Sequence, residues 1–123
     1  MRVRIAAVAA VAALGAAGAA MAQTSATPVL KGTVGPGFTI SLKDSKGHKV
    51  KTLKAGTYSL QITDKGDIHT FSLKQKTGGK FNKDLTGDTF TGKKTVKVKL
   101  TKGKWHFYCA VHPDTMFGNF TVK

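Results

Sequence analysis

The sequence predicts an all-β domain, a Greek-key sandwich or barrel, on three observations. Apolar and polar residues alternate in short runs, turn signals separate those runs, and no stretch shows the helical period of about 3.6 residues. Val29 to Val34 reads as a first strand, turned by Gly35-Pro36-Gly37. Phe38, Ile40 and Leu42 share the buried face of a second strand, and Asp44-Ser45-Lys46-Gly47 turns it. Val50 and Leu53 mark a short strand before Ala55-Gly56. Tyr58, Leu60 and Ile62 alternate through the next long one, which Asp64-Lys65-Gly66-Asp67 closes.

Ile68 to Leu73 reads as a strand that carries His69. Lys74 to Thr91 is long, polar and rich in Gly, Lys and Thr, with Phe81, Leu85 and Phe90 as its expected anchors on the core. In Thr95 to Thr101, Val96, Val98 and Leu100 face inward and the lysines between them face water. Lys102-Gly103 turns the chain into Lys104 to Cys109, and Phe117 to Lys123 is the last strand. The chain has no internal repeat.

The N-terminus reads as a targeting segment rather than as structure. Met1 to Arg4 is a short basic region, Ile5 to Ala20 is apolar and alanine-rich, and Ala20-Met21-Ala22 is a small-x-small cleavage site. Residues 1–22 are therefore expected to be a signal peptide, 23–28 a short linker and 29–123 the folded domain. The apolar run is short for a membrane span and is followed directly by the cleavage signal. Export into a periplasm or out of the cell is the expectation, with no membrane span after cleavage and a monomeric product.

Cleavage before Gln23 leaves 101 residues, enough for one core without disulfide staples, and the single cysteine can form no internal disulfide. It also removes both arginines, leaving 18 lysines against six aspartates, a formal charge of +12. Such a field favours an acidic partner protein or an anionic surface. Lysine on outward strand positions also guards sheet edges against aggregation. The absence of arginine removes the bidentate donor of phosphate and base recognition, and no stacking platform for single strands is evident, so no nucleic-acid partner is expected.

Chemistry concentrates in Trp105-His106-Phe107-Tyr108-Cys109-Ala110-Val111-His112-Pro113-Asp114-Thr115-Met116. Alternation puts Trp105, Phe107 and Cys109 on one face and His106 and Tyr108 on the other. Cys109, His112 and Met116 offer thiolate, imidazole and thioether within eight residues, a soft donor set that suits copper better than a hard cation. Taken singly, Cys109 reads as a small buried hydrophobe, His112 as a loop histidine and Met116 as a core plug; taken together on one loop they read as a site. His69 is the best fourth ligand. His48 sits in a lysine-flanked turn and His106 points away from the Cys109 face, so both are read as bystanders.

With these residues in place, the chain from 29 to 123 resembles the cupredoxins, the small blue-copper proteins of plastocyanin and azurin type. The resemblance lies in Gly103-x-Trp105-x-Phe107-Tyr108-Cys109, in His112-Pro113, in Met116-x-Gly118-x-Phe120-x-Val122 and in His69-x-Phe71. The spacing of His112 from Met116 falls between those of plastocyanins and amicyanins. The resemblance implies a Greek-key cupredoxin β-sandwich holding one type 1 copper, with His69, Cys109 and His112 near-trigonal and Met116 axial. It implies a one-electron carrier cycling between Cu(I) and Cu(II), with a copper chaperone or storage protein as the alternative. It also implies an apolar surface around His112, for which Val34, Pro36, Val111 and Phe117 are the candidates. Thr70, next to His69, is expected to tie across to the Cys109 loop. Catalysis is not expected: the chain lacks the His-x-His pairs of further copper sites, and an inward cysteine is poorly placed for nucleophilic attack.

Overall fold

A computed structural model describes residues 26–123; the expected signal peptide and residues 23–25 of the linker lie outside them. Among the described residues there are nine strands and no helix, arranged as two sheets that face each other in a β-sandwich. The first sheet contains β1 (Val29–Val34), β2 (Ile40–Asp44), β4 (Gly56–Asp64) and β7 (Gly92–Leu100), in the order β2-β1-β4-β7. The second contains β3 (Thr52–Leu53), β5 (Ser72–Gln75), β6 (Asn82–Asp84), β8 (Gly103–Tyr108) and β9 (Phe117–Val122), in the order β3-β9-β8-β5-β6.

The expected alternation sets the layers. Leu30, Val34, Leu42, Leu60, Ile62, Val98 and Leu100 point from the first sheet into the core, and Leu73, Trp105, Phe107, Phe120 and Val122 meet them from the second. Trp105 is only 1 % exposed, and its indole N–H donates to Thr101 C=O at 2.8 Å, so the largest side chain is buried with its one donor satisfied. Truncating such a residue costs about 3–5 kcal/mol. Phe71 stacks on Phe107 with centroids 5.9 Å apart. Its ring also lies against Gly32, where an added Cβ would come within 2.7 Å. A side chain at position 32 would thus push the sheets apart beside the site.

Three expectations need correction. Phe38 does not belong to the second strand: β2 starts at Ile40 and Phe38 is 66 % exposed. Gly35 and Gly37 adopt φ of 71° and 68°, and Gly35 N–H donates to Thr39 C=O at 2.8 Å. Phe38 is therefore a loop residue, outside the two-residue period. His69 lies on the approach to a strand rather than on it, since β5 begins at Ser72. The reason is local: Thr70 N–H is directed at Cys109 Sγ and Phe71 N–H at Thr86 Oγ1, so neither joins a ladder. Finally, one of the three anchors expected of the polar stretch after Lys74 does not hold; the stretch also contains β6, paired with β5. Leu85 and half-buried Phe81 pack on the core from this stretch as expected, whereas Phe90 lies outside the core cluster.

Candidate metal centre

The site forms where three loops meet at one end of the sandwich: 35–39 after β1, 65–71 after β4 and 109–116 after β8. The last loop is closed by its own backbone. Cys109 N–H donates to Met116 C=O at 2.9 Å, His112 N–H to Cys109 C=O at 3.2 Å, and Met116 N–H to His112 C=O at 3.0 Å. Pro113 fixes its own φ and biases His112 away from the helical region, which stiffens the turn further.

His69, Cys109 and His112 converge. Cys109 Sγ lies 3.8 Å from His69 Nδ1 and 3.8 Å from His112 Nδ1. The three ligand atoms are all within 4.8 Å of one another, a spacing suited to one ion at bonding distances of about 2.0–2.3 Å. Cys109 and Met116 are both 0 % exposed and His69 is 6 % exposed, while His112 is half-buried. Met116 closes the loop on the buried side through its two backbone hydrogen bonds. The Cys109 thiol is thus closed off from solvent.

The expected tie from Thr70 is present and longer than anticipated. Ala110 N–H donates to Thr70 Oγ1 at 2.8 Å, Thr70 Oγ1 lies 2.7 Å from Ser72 Oγ, and Ser72 Oγ–H donates to Asp84 Oδ1 at 2.6 Å. With Ser72 committed to the carboxylate, Thr70 O–H donates to Ser72 and its lone pair accepts from Ala110. A carboxylate on β6 is thereby linked to the cysteine loop through two hydroxyls. Sequence reading found Thr70 but not Ser72 or Asp84, because β6 gives no alternation signal.

Behind His69, Gly66 leaves room for the imidazole: an added Cβ would sit 2.6 Å from His69 Cδ2. Asp64 holds this turn, its Oδ1 accepting Gly66 N–H at 3.0 Å. Asp64 is 2 % exposed and its Oδ2 has no hydrogen-bond partner among the described residues. Burial pushes its carboxyl above the usual range, against the opposing pull of the Gly66 amide and of His69.

Phe38, which the sequence had assigned to the core, covers the centre instead. Its ring stands edge-on to His112 at 4.9 Å and to His69 at 6.1 Å between centroids, and the two imidazoles are 5.0 Å apart. Exposed Ile68 and Val111 are the chain neighbours of His69 and His112. Of the residues expected around His112, Pro36 and Val111 are exposed, but Val34 is 0 % exposed and belongs to the core. Phe117 lies against His106 at 5.5 Å on the outer face of the second sheet. His106 accordingly faces away from the centre, with Nδ1 2.7 Å from Asn119 Oδ1. His48 stays in its turn, 3.5 Å from Asp44 Oδ2.

The fold is the cupredoxin fold, and the cluster it carries could bind a type 1 copper. Among solved structures the chain is similar to rusticyanin: a mutant crystal structure matches at TM-score 0.55 and 19 % identity, covering 77 % of this chain and 76 % of that one. The copper protein rusticyanin at 2.1 Å matches at TM-score 0.52 and 21 % identity over the same shares. Reduced rusticyanin determined by NMR matches at TM-score 0.52 and 22 % identity, again over 77 % and 76 %. No protein-family model and no curated protein sequence matches the chain.

Proposed function

We propose that the chain is an exported type 1 copper protein that carries single electrons, and that His69, Cys109, His112 and Met116 would hold the metal. The observation that carries this reading is the convergence of one thiol sulfur and two imidazole nitrogens, each N 3.8 Å from the sulfur, inside a buried and hydrogen-bonded frame. The donor set fits copper: one thiolate and two imidazoles suit a soft to borderline ion, and no carboxylate stands in the cluster. Bound there, copper would supply a one-electron Cu(I)/Cu(II) couple.

The residues themselves favour carrying an electron over handing on the metal. Thr70 N–H, 3.3 Å from Sγ, stabilises negative charge on sulfur. The Thr70–Ala110 bond and the loop's own hydrogen bonds keep the ligands in one arrangement. Half-buried His112 is the ligand nearest solvent, and Phe38, Ile68 and Val111 supply an apolar surface beside it that a redox partner can cover. The rusticyanin likeness supports the same reading through its fold. We read the exported form as a monomer starting at Gln23, in a periplasm or outside the cell, with an acidic redox partner drawn by the +12 charge. No helix among the described residues is long and apolar enough to cross a membrane.

The test sets carrying against delivery. Cu(I)-loaded protein is mixed with a competing thiol chaperone, and electron self-exchange is measured in a separate sample. The carrier reading predicts slow copper loss and rapid self-exchange. Rapid copper loss with sluggish exchange would assign the site to delivery or storage.

A further inference from the structure

We infer that the outer face of the β2-β1-β4-β7 sheet docks on an anionic phospholipid membrane. The strand register places Lys43, Lys31, Gln61 and Thr95 in one row across this face and Ser41, Thr33, Thr63 and Lys93 in the next. Ser59 beside Lys97 and Thr57 beside Lys99 continue it. All five of these lysines are exposed. No carboxylate joins them. Asp44 and Asp64 pair with Leu30 and Gly92 in the inward phase, Asp67, Asp88 and Asp114 lie in loops, and Asp84 belongs to the other sheet.

Lys31 and Lys43 are direct cross-strand partners. Like charges opposed in this way weaken a sheet, so the pair works against folding unless an anion lies over it. A shallow depression of about 270 Å³ on the same face is lined by Lys31, Thr33, Gln61, Thr63, Lys93 and Thr95. Ammonium and hydroxyl donors around a shallow hollow suit the phosphate oxygens of lipid headgroups. The opposite face is different in kind: Lys74 sits over the Tyr108 ring at 5.1 Å, and Tyr108, His106 and Phe117 form a stacked aromatic run there.

The chemistry selects a membrane over other polyanions. Lysines act as point charges and need no directional partner, which suits a fluid planar field of headgroups. Nucleic acid would call for arginine forks or stacking aromatics, and a protein partner for an apolar anchor. This face has no arginine, and none of the exposed large hydrophobics, Phe38, Ile68, Val111 and Phe117, lies on its strands. Attachment is therefore electrostatic and reversible. The candidate metal centre sits in loops at the end of the sandwich, so a chain lying on this face keeps His112 clear of the membrane.

The proposal does not depend on copper. The test uses the chain from Gln23, which contains every described strand, and cosedimentation with phosphatidylcholine vesicles with and without phosphatidylglycerol. Binding is expected only with phosphatidylglycerol, and it should fall as salt rises. Combined Lys31→Gln, Lys93→Gln and Lys97→Gln should weaken it at least about tenfold. Combined Lys51→Gln, Lys74→Gln and Lys104→Gln removes the same charge from the other sheet and its edge, and should weaken it less than about threefold. In the unaltered chain, vesicles should protect Lys31, Lys43, Lys93 and Lys97 from acetylation more than Lys51 and Lys104. Equal losses in the two triple variants, equal protection of the two faces, or binding to heparin or duplex DNA without binding to vesicles would each overturn the proposal.

Discussion

Thr70 holds Cys109 from two directions: its backbone N–H points at Sγ from 3.3 Å, and its hydroxyl accepts the N–H of the next residue, Ala110, at 2.8 Å. One residue therefore fixes both the sulfur and the backbone that leads away from it. Thr70 is 3 % exposed, so no water replaces the hydroxyl freely. Thr70→Val should leave the Ala110 donor unpaired and lower stability by about 1–3 kcal/mol, whereas Thr70→Ser keeps the bond and should lose clearly less. Denaturant unfolding of the metal-free chain measures both. A valine variant as stable as the parent would show that the tie carries no energy.

Asp64 predicts a pH dependence of stability. Its folded pKa is raised above the ordinary value of 3.8, chiefly by burial. The folded state thus holds this proton more tightly than the unfolded chain does. The resulting stabilisation is fully present below the unfolded pKa and is lost as pH rises through the folded one. At neutral pH the carboxylate is a cost, and Asp64→Asn removes it while retaining an oxygen for Gly66 N–H. The variant should melt higher than the parent at neutral pH, with the gap closing as pH falls towards about 4. A variant that melts lower at neutral pH would mean that the charge is compensated.

Phe38 makes a prediction that separates folding from redox behaviour. It is 66 % exposed yet stands edge-on to both candidate imidazole ligands. Phe38→Ala should change stability by less than about 1 kcal/mol, since little buried area is lost. It should admit water to the histidine side of the centre, favour the more highly charged Cu(II) state and lower the reduction potential. Thermal melts and voltammetry of the copper-loaded variant test the two halves. A large stability loss with an unchanged potential would place Phe38 in the core after all.

The sequence was most legible where chemistry and periodicity coincide. Trp105, Phe107 and Cys109 share a face because a strand has a period of two, and Cys109, His112 and Met116 fall on one loop whatever the rest of the chain does. Long-range contacts were less legible. Phe38 continued an alternation that the glycine-flanked turn breaks, and Asp84 lies on a three-residue strand defined by its pairing with Ser72, Leu73 and Lys74. His69 was found by residue type, yet its placement depends on Gly66 leaving space for the ring and on Thr70 spending its amide on sulfur. No local pattern encodes either relation.

The proposed export makes its own prediction. The Ala20-Met21-Ala22 signature places the mature N-terminus at Gln23. The intact mass of protein recovered outside the cytoplasm should correspond to residues 23–123. A mass that retains residues 5–20 would revive the reading of that segment as an anchor.

The central claim is that Cys109 is a copper ligand beside His69 and His112, and the visible spectrum of the chain loaded with Cu(II) tests it most directly. The account predicts one copper per chain and an intense thiolate-to-copper absorption. That absorption should vanish in Cys109→Ser, because a hydroxyl cannot supply the charge transfer, and survive in His48→Ala and His106→Ala. A colourless Cu(II) complex, or colour that persists in Cys109→Ser, would contradict it.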